Sequence, residues 1–157
     1  MAKAYLGLGT NLGDKEKNLR DAVQKIGERI GNVSSLSAFY ATIPWGFQSE
    51  NTFLNAVACV ETTLPPHELL AIAQQIERET GRTTKPANHT YADRIIDIDL
   101  LMWENLIINT PNLTLPHPLM HKRRFVMEPF AEIAPDVSHP VLGETIYNLY
   151  QYILRHS

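Results

Sequence analysis

Two aspartates separated by one residue stand in the most strand-like stretch of the chain, Arg94 to Trp103. Alternate residues of a β-strand share a face, so Asp97 and Asp99 are predicted to point the same way, about 7 Å apart. Carboxylates at that spacing repel each other unless cations neutralise them or one takes up a proton. Mg²⁺ needs few carboxylates and takes its other ligands from water and phosphate oxygens. The pattern therefore favours a nucleotide-dependent metal site, with a solvated sheet face as the alternative.

Arginines near this strand in the sequence suit phosphate recognition. Arg82 and Arg94 flank a polar, aperiodic segment, and Lys122-Arg123-Arg124 form a basic cluster further along the chain. The planar guanidinium binds phosphate oxygens in a bidentate manner. The segment between Arg82 and Arg94 is long for a connection inside a domain, so we expect a lid that closes over bound phosphates.

His117 and His121 lie four residues apart, a spacing that binds zinc when both stand on one helix. Pro118 argues against a helix there, and no third soft ligand is evident. Zinc is therefore not expected. A histidine beside an arginine cluster can donate to phosphate oxygens, and the alternative is a loop histidine bonded to backbone.

The stretch from Gly7 to Gly13 lies at a predicted strand-to-helix junction. Its glycine spacing departs by one residue from the dinucleotide-binding fingerprint, and no Gly-Lys-Ser/Thr ending makes it a P-loop. We interpret these glycines as serving a tight turn. A bound nucleotide would then be held by other groups.

Three aromatic residues, Trp45, Phe53 and Phe125, could stack on a flat heteroaromatic ring. Asn55 follows Phe53 by two residues, so it shares that strand face and could bind the amide-like edge of such a ring. The alternative is that the aromatic residues belong to the core.

Hydrophobic periodicity predicts strands and helices in the order βαββαβ, followed by helices. This order indicates an α+β fold of the ferredoxin-like βαββαβ sandwich type, with helices packed on an antiparallel sheet and a C-terminal helical extension. Gly31 is predicted to end the first helix in a left-handed conformation. The predicted strands are Ala4–Leu8, Ser35–Thr42, Phe53–Thr62 and Arg94–Trp103. The predicted helices are one that Asp14 could cap, one from Pro65-Pro66 to Gly81, and those at Phe125–Ile133 and Thr145–Arg155. Asn109–His117 is predicted to be a loop with a short extended piece.

The bulk composition is that of an ordinary globular protein. The 157 residues are 44% hydrophobic and 20% charged, with a net charge of -3 and one cysteine. One catalytic domain over residues 1–157 is expected, with no disulfide and no thiolate zinc cluster. The chain lacks the net positive charge that would attract nucleic acids or anionic membranes. We expect a cytoplasmic monomer that binds small molecules.

The motifs together resemble the 6-hydroxymethyl-7,8-dihydropterin pyrophosphokinase family essentially from end to end. The resemblance rests above all on an Arg-x-x-Asp-x-Asp strand, a Pro-His-Pro segment and an Arg-x-Phe-Val segment in this order. The matching segments are Gly9-Thr10-Asn11-Leu12-Gly13, Phe53-Leu54-Asn55, Ile76-Glu77, Asp93 to Asp99, Pro116-His117-Pro118 and Arg123-Arg124-Phe125-Val126.

The resemblance implies an enzyme of folate biosynthesis that transfers the β,γ-diphosphate of ATP to the pterin hydroxymethyl group and releases AMP. Two Mg²⁺ ions would be bound by Asp97 and Asp99, and the catalytic residues would be these two with Arg82 and Arg94. The implied ATP-binding residues are Gln74, Glu77, Arg82, Arg94, Ile98, Thr114, His117 and Arg123. The implied pterin-binding residues are Thr42, Ile43, Trp45, Phe53, Asn55 and Phe125.

The chain departs from the family pattern within the predicted lid. Thr84 stands where the family commonly has a second arginine, and Tyr91-Ala92-Asp93-Arg94 replaces a Trp-Gly-Pro-Arg segment. Two other functions stay open at this point: a non-catalytic ferredoxin-like binding module, and a metal-dependent nucleotide hydrolase that uses the same acids with water as the nucleophile.

Overall fold

Strand β1 (Ala2–Thr10) is the central strand of the computed structural model, which describes residues 1–42, 52–80 and 95–156. It pairs antiparallel with β4 (Phe53–Thr62) on one side and β5 (Asp97–Trp103) on the other. Both β2 (Asn32–Leu36) and β3 (Tyr40–Thr42) pair antiparallel with β4. The strand order is β2-β4-β1-β5, with β3 beside β4. The prediction of an antiparallel sheet with helices packed on it is confirmed.

Helices α1 (Lys15–Arg29) and α2 (Pro66–Glu79) cover one face of this sheet. The Asp14 side chain caps α1 by accepting a hydrogen bond from the Lys17 backbone N–H, as the sequence indicates. Both helices bury an apolar stripe at helical spacing against alternate residues of β1, β4 and β5. The stripes consist of Leu19, Ala22 and Ile26 in α1 and of Leu69, Ala73 and Ile76 in α2.

The C-terminal part of the chain covers the opposite face of the sheet. A 3₁₀ turn (Met120–Lys122), α3 (Arg124–Ile133) and α4 (Ile146–Arg155) form a second core with β1, β4 and β5. Within it, the Tyr5 and Phe130 ring centroids are 4.9 Å apart. The C-terminal extension is thus a full layer of the domain, and the sheet is buried on both sides.

A β-bulge in β5 places two consecutive side chains in the same core. The register with β1 shifts between Tyr5 and Leu6, which leaves Leu101 as the extra residue. Leu100 packs in the core under α1 and α2, whereas Leu101 and Met102 pack in the opposite core.

Two predicted segments differ from the observed structure. The loop expected at Asn109–His117 contains a hairpin, β6 (Ile108–Thr110) paired with β7 (Leu113–Leu115). The strand expected at Ser35–Thr42 is divided into β2 and β3, because the Ala38 backbone N–H donates to the Glu132 carboxylate of α3 instead of to a strand. The hairpin is a local pairing, whereas the division of the strand arises from a partner 94 residues away in sequence.

The prediction of a left-handed Gly31 is wrong. Among the glycines that the structure describes, positive φ occurs at Gly13 (68°) and Gly143 (73°) and not at Gly31. Gly31 instead packs directly against β4, where an added Cβ would overlap the Glu61 carbonyl oxygen. Absence of a side chain at this position is required by close approach of two backbone segments.

Within the described residues, the helices are all too short or too polar to span a membrane.

Two glycines near the end of α1 provide a matched test of this packing. Gly27 is exposed in the helix, with nothing near its Cβ position, so Gly27→Ala should stabilise the protein by about 0.5–1 kcal/mol. Gly31→Ala should destabilise it by roughly 1–3 kcal/mol because the Glu61 backbone must move. Urea unfolding of both variants measures the difference, and equal effects would contradict the close approach.

Candidate active site

Asp97 and Asp99 of β5 lie on one face of the sheet, as their spacing predicts. Both side chains are half-buried. Ile98 between them points to the other face of the sheet and is buried in the core under α1 and α2. They line a cavity of about 380 Å³ beside the outer edge of β5. The alternative of an open solvated sheet face does not describe their surroundings.

Glu77 of α2 brings a third carboxyl group to this cavity. Its Oε2 accepts a 2.7 Å hydrogen bond from the Ile98 backbone N–H, which points away from β1. Burial raises the pKa of Glu77 to about 8, the Ile98 N–H opposes the rise, and the carboxyl groups of Asp97 and Asp99 add to it. Three carboxyl groups so placed favour a bound cation or a retained proton.

The cavity lies between α2, β5 and the β6–β7 hairpin. Apolar contacts come from Leu70, Leu113 and Pro118, and Asn112 adds a polar group. The sequence-predicted residues that line it are Gln74, Glu77, Asp97, Ile98, Asp99, Thr114 and His117. Five predicted ATP-binding residues and both predicted metal ligands are therefore brought together.

His117 is held in a defined tautomer at the cavity wall. Its Nδ1 accepts a 3.3 Å hydrogen bond from the Leu119 backbone N–H, so the ring proton resides on Nε2. Burial, assisted by the charge of Arg123, lowers the pKa of His117, and Asp97 acts in the opposite direction. The imidazole is therefore neutral at pH 7 and has one N–H to donate.

Asn55 of β4 is buried on the same sheet face as the aspartates, with an exposed fraction of 5%. Its Nδ2 donates a 2.8 Å hydrogen bond to the Thr42 hydroxyl of β3. Thr42 therefore contacts Asn55, which orients the amide. A buried amide held in this way can recognise a polar ring edge.

The aromatic residues Phe53 and Phe125 belong to neither core cluster. Phe53 is half-buried two residues before Asn55, and Phe125 is 36% exposed in the first turn of α3, which covers this face of the sheet. The Arg123 guanidinium carbon lies 5.6 Å from the Phe125 ring centroid. The part of the chain that the structure describes thus does not place these two rings in a core, and their stacking role stays a prediction.

Gly9 is a strand residue, so its interpretation as a turn glycine is wrong, whereas Gly7 lies within the strand predicted at Ala4–Leu8 and Gly13 has the positive φ of a turn glycine. Gly9 pairs with Asn55 on β4 and with Asp97 on β5, and Gly7 pairs with Val57 and Asp99. Two β1 residues without side chains therefore lie between the aspartates on β5 and Asn55 on β4. Their alternation with Leu6 and Leu8 is the sequence signal that could have indicated a strand.

Four predicted site residues lie outside the described residues: Ile43, Trp45, Arg82 and Arg94. The lid predicted between Arg82 and Asp93, with Thr84, lies outside them too. Sequence reasoning missed the wall formed by Leu70, Asn112 and Leu113. The hairpin that carries the last two shows only a weak strand pattern in the sequence.

Comparison with known proteins identifies the family of this chain. The family 7,8-dihydro-6-hydroxymethylpterin-pyrophosphokinase matches residues 5–135. A 2-amino-4-hydroxy-6-hydroxymethyldihydropteridine pyrophosphokinase of Porphyromonas gingivalis is 46% identical over 136 residues, which cover 86% of this chain and 92% of the relative. Proteins with the same name from Methylorubrum extorquens and Bacillus subtilis are 42% and 40% identical, over 93% and 85% of this chain and 90% and 79% of their own lengths.

Solved structures show the same fold. The Plasmodium falciparum HPPK-DHPS with pteroate superposes with a TM-score of 0.78 at 18% identity, over 98% of this chain and 43% of that chain. An HPPK-DHPS in complex with substrates gives 0.77 at 16% identity, over 99% of this chain and 44% of that chain. This chain thus spans less than half of those solved chains. With the family match over residues 5–135 and relatives more than 40% identical, the chain belongs to the 7,8-dihydro-6-hydroxymethylpterin-pyrophosphokinase family.

Proposed function

We propose that this protein transfers the β,γ-diphosphate of ATP to the hydroxymethyl oxygen of 6-hydroxymethyl-7,8-dihydropterin and releases AMP. Family membership makes the chain a pyrophosphokinase of folate biosynthesis. The observation that carries the assignment of residues is the single cavity beside β5, which gathers seven predicted nucleotide-side and metal-side groups. The Asn55 side of the sheet lies one strand away, across β1.

Asp97 and Asp99 are proposed to hold two Mg²⁺ ions. Their fit to a hard cation is supported by the donor set, since both are half-buried carboxyl groups and Glu77 beside them has a raised pKa. When bound, Mg²⁺ supplies positive charge that stabilises the entering and leaving oxygens and favours ionisation of the hydroxyl. A dedicated side-chain base is then unnecessary.

The nucleotide is proposed to occupy the cavity between α2 and the β6–β7 hairpin. Its apolar wall would pack on the base, with Gln74 and Thr114 as polar neighbours. His117 would donate its Nε2–H to a phosphate oxygen. Arg123 would add positive charge close to His117, and Arg82 and Arg94 are proposed to neutralise the charge that develops on the transferred group.

The pterin is proposed to stack on Phe53 and Phe125, with Asn55 bonded to its polar edge. Trp45 and Ile43 are proposed to complete this pocket, and Thr42 orients the Asn55 amide. Attack by the hydroxymethyl oxygen on the β-phosphorus forms the new O–P bond, the bond from the β-phosphorus to the bridging α-phosphate oxygen breaks, and the hydroxyl proton is released to solvent. AMP departs with that oxygen.

The finer fold assignment is part of the same proposal. The order β2-β4-β1-β5 with antiparallel pairing supports a ferredoxin-like βαββαβ core. A single catalytic domain over residues 1–157, a cytoplasmic location and a monomeric state stay predictions from the sequence.

An assay for AMP tests the proposed reaction against its two alternatives. AMP should form only when ATP, Mg²⁺ and 6-hydroxymethyl-7,8-dihydropterin are all present, in equal amount to the pterin diphosphate. Formation of AMP without pterin would indicate a hydrolase. No AMP under any condition would indicate a non-catalytic module.

Replacing either aspartate should separate activity from stability. Asp97→Asn and Asp99→Asn should each lower turnover by roughly 100-fold or more, because metal charge stabilisation is worth several kcal/mol. Without metal, each variant should melt at or above the wild-type temperature because one repelling carboxylate is gone.

Steady-state rates and thermal melting check both parts of this prediction. Asp136→Asn, at an exposed position outside the cavity, is the control and should leave both measurements unchanged. Near-normal rates for both aspartate variants at saturating Mg²⁺ would contradict the metal assignment.

Loss of the Asn55 amide should weaken pterin binding selectively. Asn55→Leu leaves polar ring atoms without partners at a cost of roughly 1–3 kcal/mol, so pterin affinity should fall about 5- to 150-fold. Thr42→Val should have a smaller effect in the same direction because it removes only the group that orients the amide.

Calorimetric titration with pterin and with a non-hydrolysable ATP analogue measures the two affinities. Equal weakening of both ligands in Asn55→Leu would contradict the division between a pterin side and a nucleotide side.

A further inference from the structure

We propose that Gly9 is a positioning residue for pterin recognition, because the absence of its side chain allows the Asn55 amide to lie along the sheet toward Asp97. This inference rests on the proposed function, in which Asn55 binds the pterin. Gly9 itself need not touch the substrate. It acts by leaving space for the group that does.

The register places Gly9 between the two halves of the site. Gly9 lies opposite Asn55 on β4 and opposite Asp97 on β5, so the three residues form one row across the sheet. Neighbouring strands are about 4.8 Å apart, which separates the Asn55 and Asp97 backbones by roughly 10 Å. A substrate bound at Asn55 with its reactive arm at the aspartates would follow this row.

The Asn55 amide is held from two sides. Its Nδ2 donates to the Thr42 hydroxyl at 2.8 Å, which directs the nitrogen toward β3. Its Oδ1 is directed toward β1, only 3.0 Å from the position that a Cβ on Gly9 would occupy. A carbon and an oxygen at this distance are closer than ordinary van der Waals contact, so a methyl group at position 9 would displace the amide oxygen.

The amide has little freedom to accommodate such a methyl group. Rotation away from Gly9 would break the hydrogen bond to Thr42, and Asn55 is buried. The Phe53 ring, 3.9 Å from the same Cβ position, occupies another side of it. Position 9 is therefore coupled to two of the proposed pterin-binding residues.

Gly7 provides the matched control on the same strand and the same sheet face. A Cβ at Gly7 would meet the Leu101 side chain at 3.5–3.6 Å, which is ordinary contact. Gly7 pairs with Val57 on β4, where no amide is present. The two glycines thus differ in what a methyl group would meet, although both would gain the same β-propensity from alanine.

A double-mutant cycle tests the inference. Gly9→Ala should raise the pterin KM and Kd roughly tenfold or more, in the range of one misplaced methyl group in a binding site, with kcat and the affinity for the ATP analogue within about twofold of wild type. Gly7→Ala should leave all four values unchanged. In an Asn55→Ala background, which removes the amide, Gly9→Ala should change pterin affinity by less than about twofold.

Several outcomes would overturn the inference. These are an unchanged pterin affinity in Gly9→Ala, an equal loss of nucleotide affinity, or the full loss repeated in the Asn55→Ala background. If Gly9→Ala alone does not fold, the Gly9→Ala/Asn55→Ala protein should fold and bind pterin as weakly as Asn55→Ala, and its failure to fold would contradict the contact.

The wild-type protein separates this inference from the proposed function. If wild type binds pterin and releases AMP while Gly9→Ala behaves identically, only the role of Gly9 is wrong. If wild type neither binds pterin nor releases AMP, the proposed function is wrong and the inference fails with it.

Discussion

The hydrogen bond from the Ile98 backbone N–H to Glu77 joins the edge of the sheet to helix α2. An edge strand has backbone groups without a strand partner, and here one of them is satisfied by a side chain. The bond brings a third carboxyl group beside Asp97 and Asp99, and the pKa of Glu77 rises to about 8 as a result of burial and of this crowding. The contact between Glu77 and β5 thus closes one wall of the cavity and also gathers the carboxyl groups that favour a bound cation.

The other half of the site depends on the register of three strands. Asn55, Gly9 and Asp97 share one row, and Val57, Gly7 and Asp99 share the next. Residues in such rows cannot shift separately, because a one-residue slip would turn every buried side chain of β1 to the other face. Asn55 and the two aspartates, the proposed pterin and metal residues, are therefore held at a set separation by the backbone, under the C-terminal layer formed by α3 and α4.

Local patterns were sufficient to predict much of the fold. Strand Phe53–Thr62 was predicted with its observed limits, and the alternation of Asp97, Ile98 and Asp99 follows from the period of a strand. Gly9 was misinterpreted as a turn residue because the role of a glycine depends on what lies opposite it. The division between β2 and β3 could not be predicted either, since it depends on Glu132, 94 residues beyond Ala38.

The candidate site was also predictable only where a local pattern in the sequence records it. Asp97 and Asp99 could be found from spacing in one strand, whereas Glu77 and Thr114 entered only through the family resemblance. Their proximity arises from packing of α2 and the β6–β7 hairpin around β5, and no local pattern records it. A resemblance supplies such positions because the family shares the fold that brings them together.

The cavity needs additional positive charge before a nucleotide can bind. Among its described lining residues are three carboxyl groups and no lysine or arginine, and His117 is a neutral donor. ATP is itself strongly anionic, so its phosphates would be repelled by this wall unless positive charge enters with them. Glu77, with a pKa of about 8, is mainly neutral at pH 7. Arg123 lies close enough to lower the pKa of His117, but one guanidinium does not balance a polyphosphate beside two aspartates. In the proposed function, Mg²⁺ on the aspartates and the side chains of Arg82 and Arg94 supply the remaining charge, so metal and nucleotide should bind together.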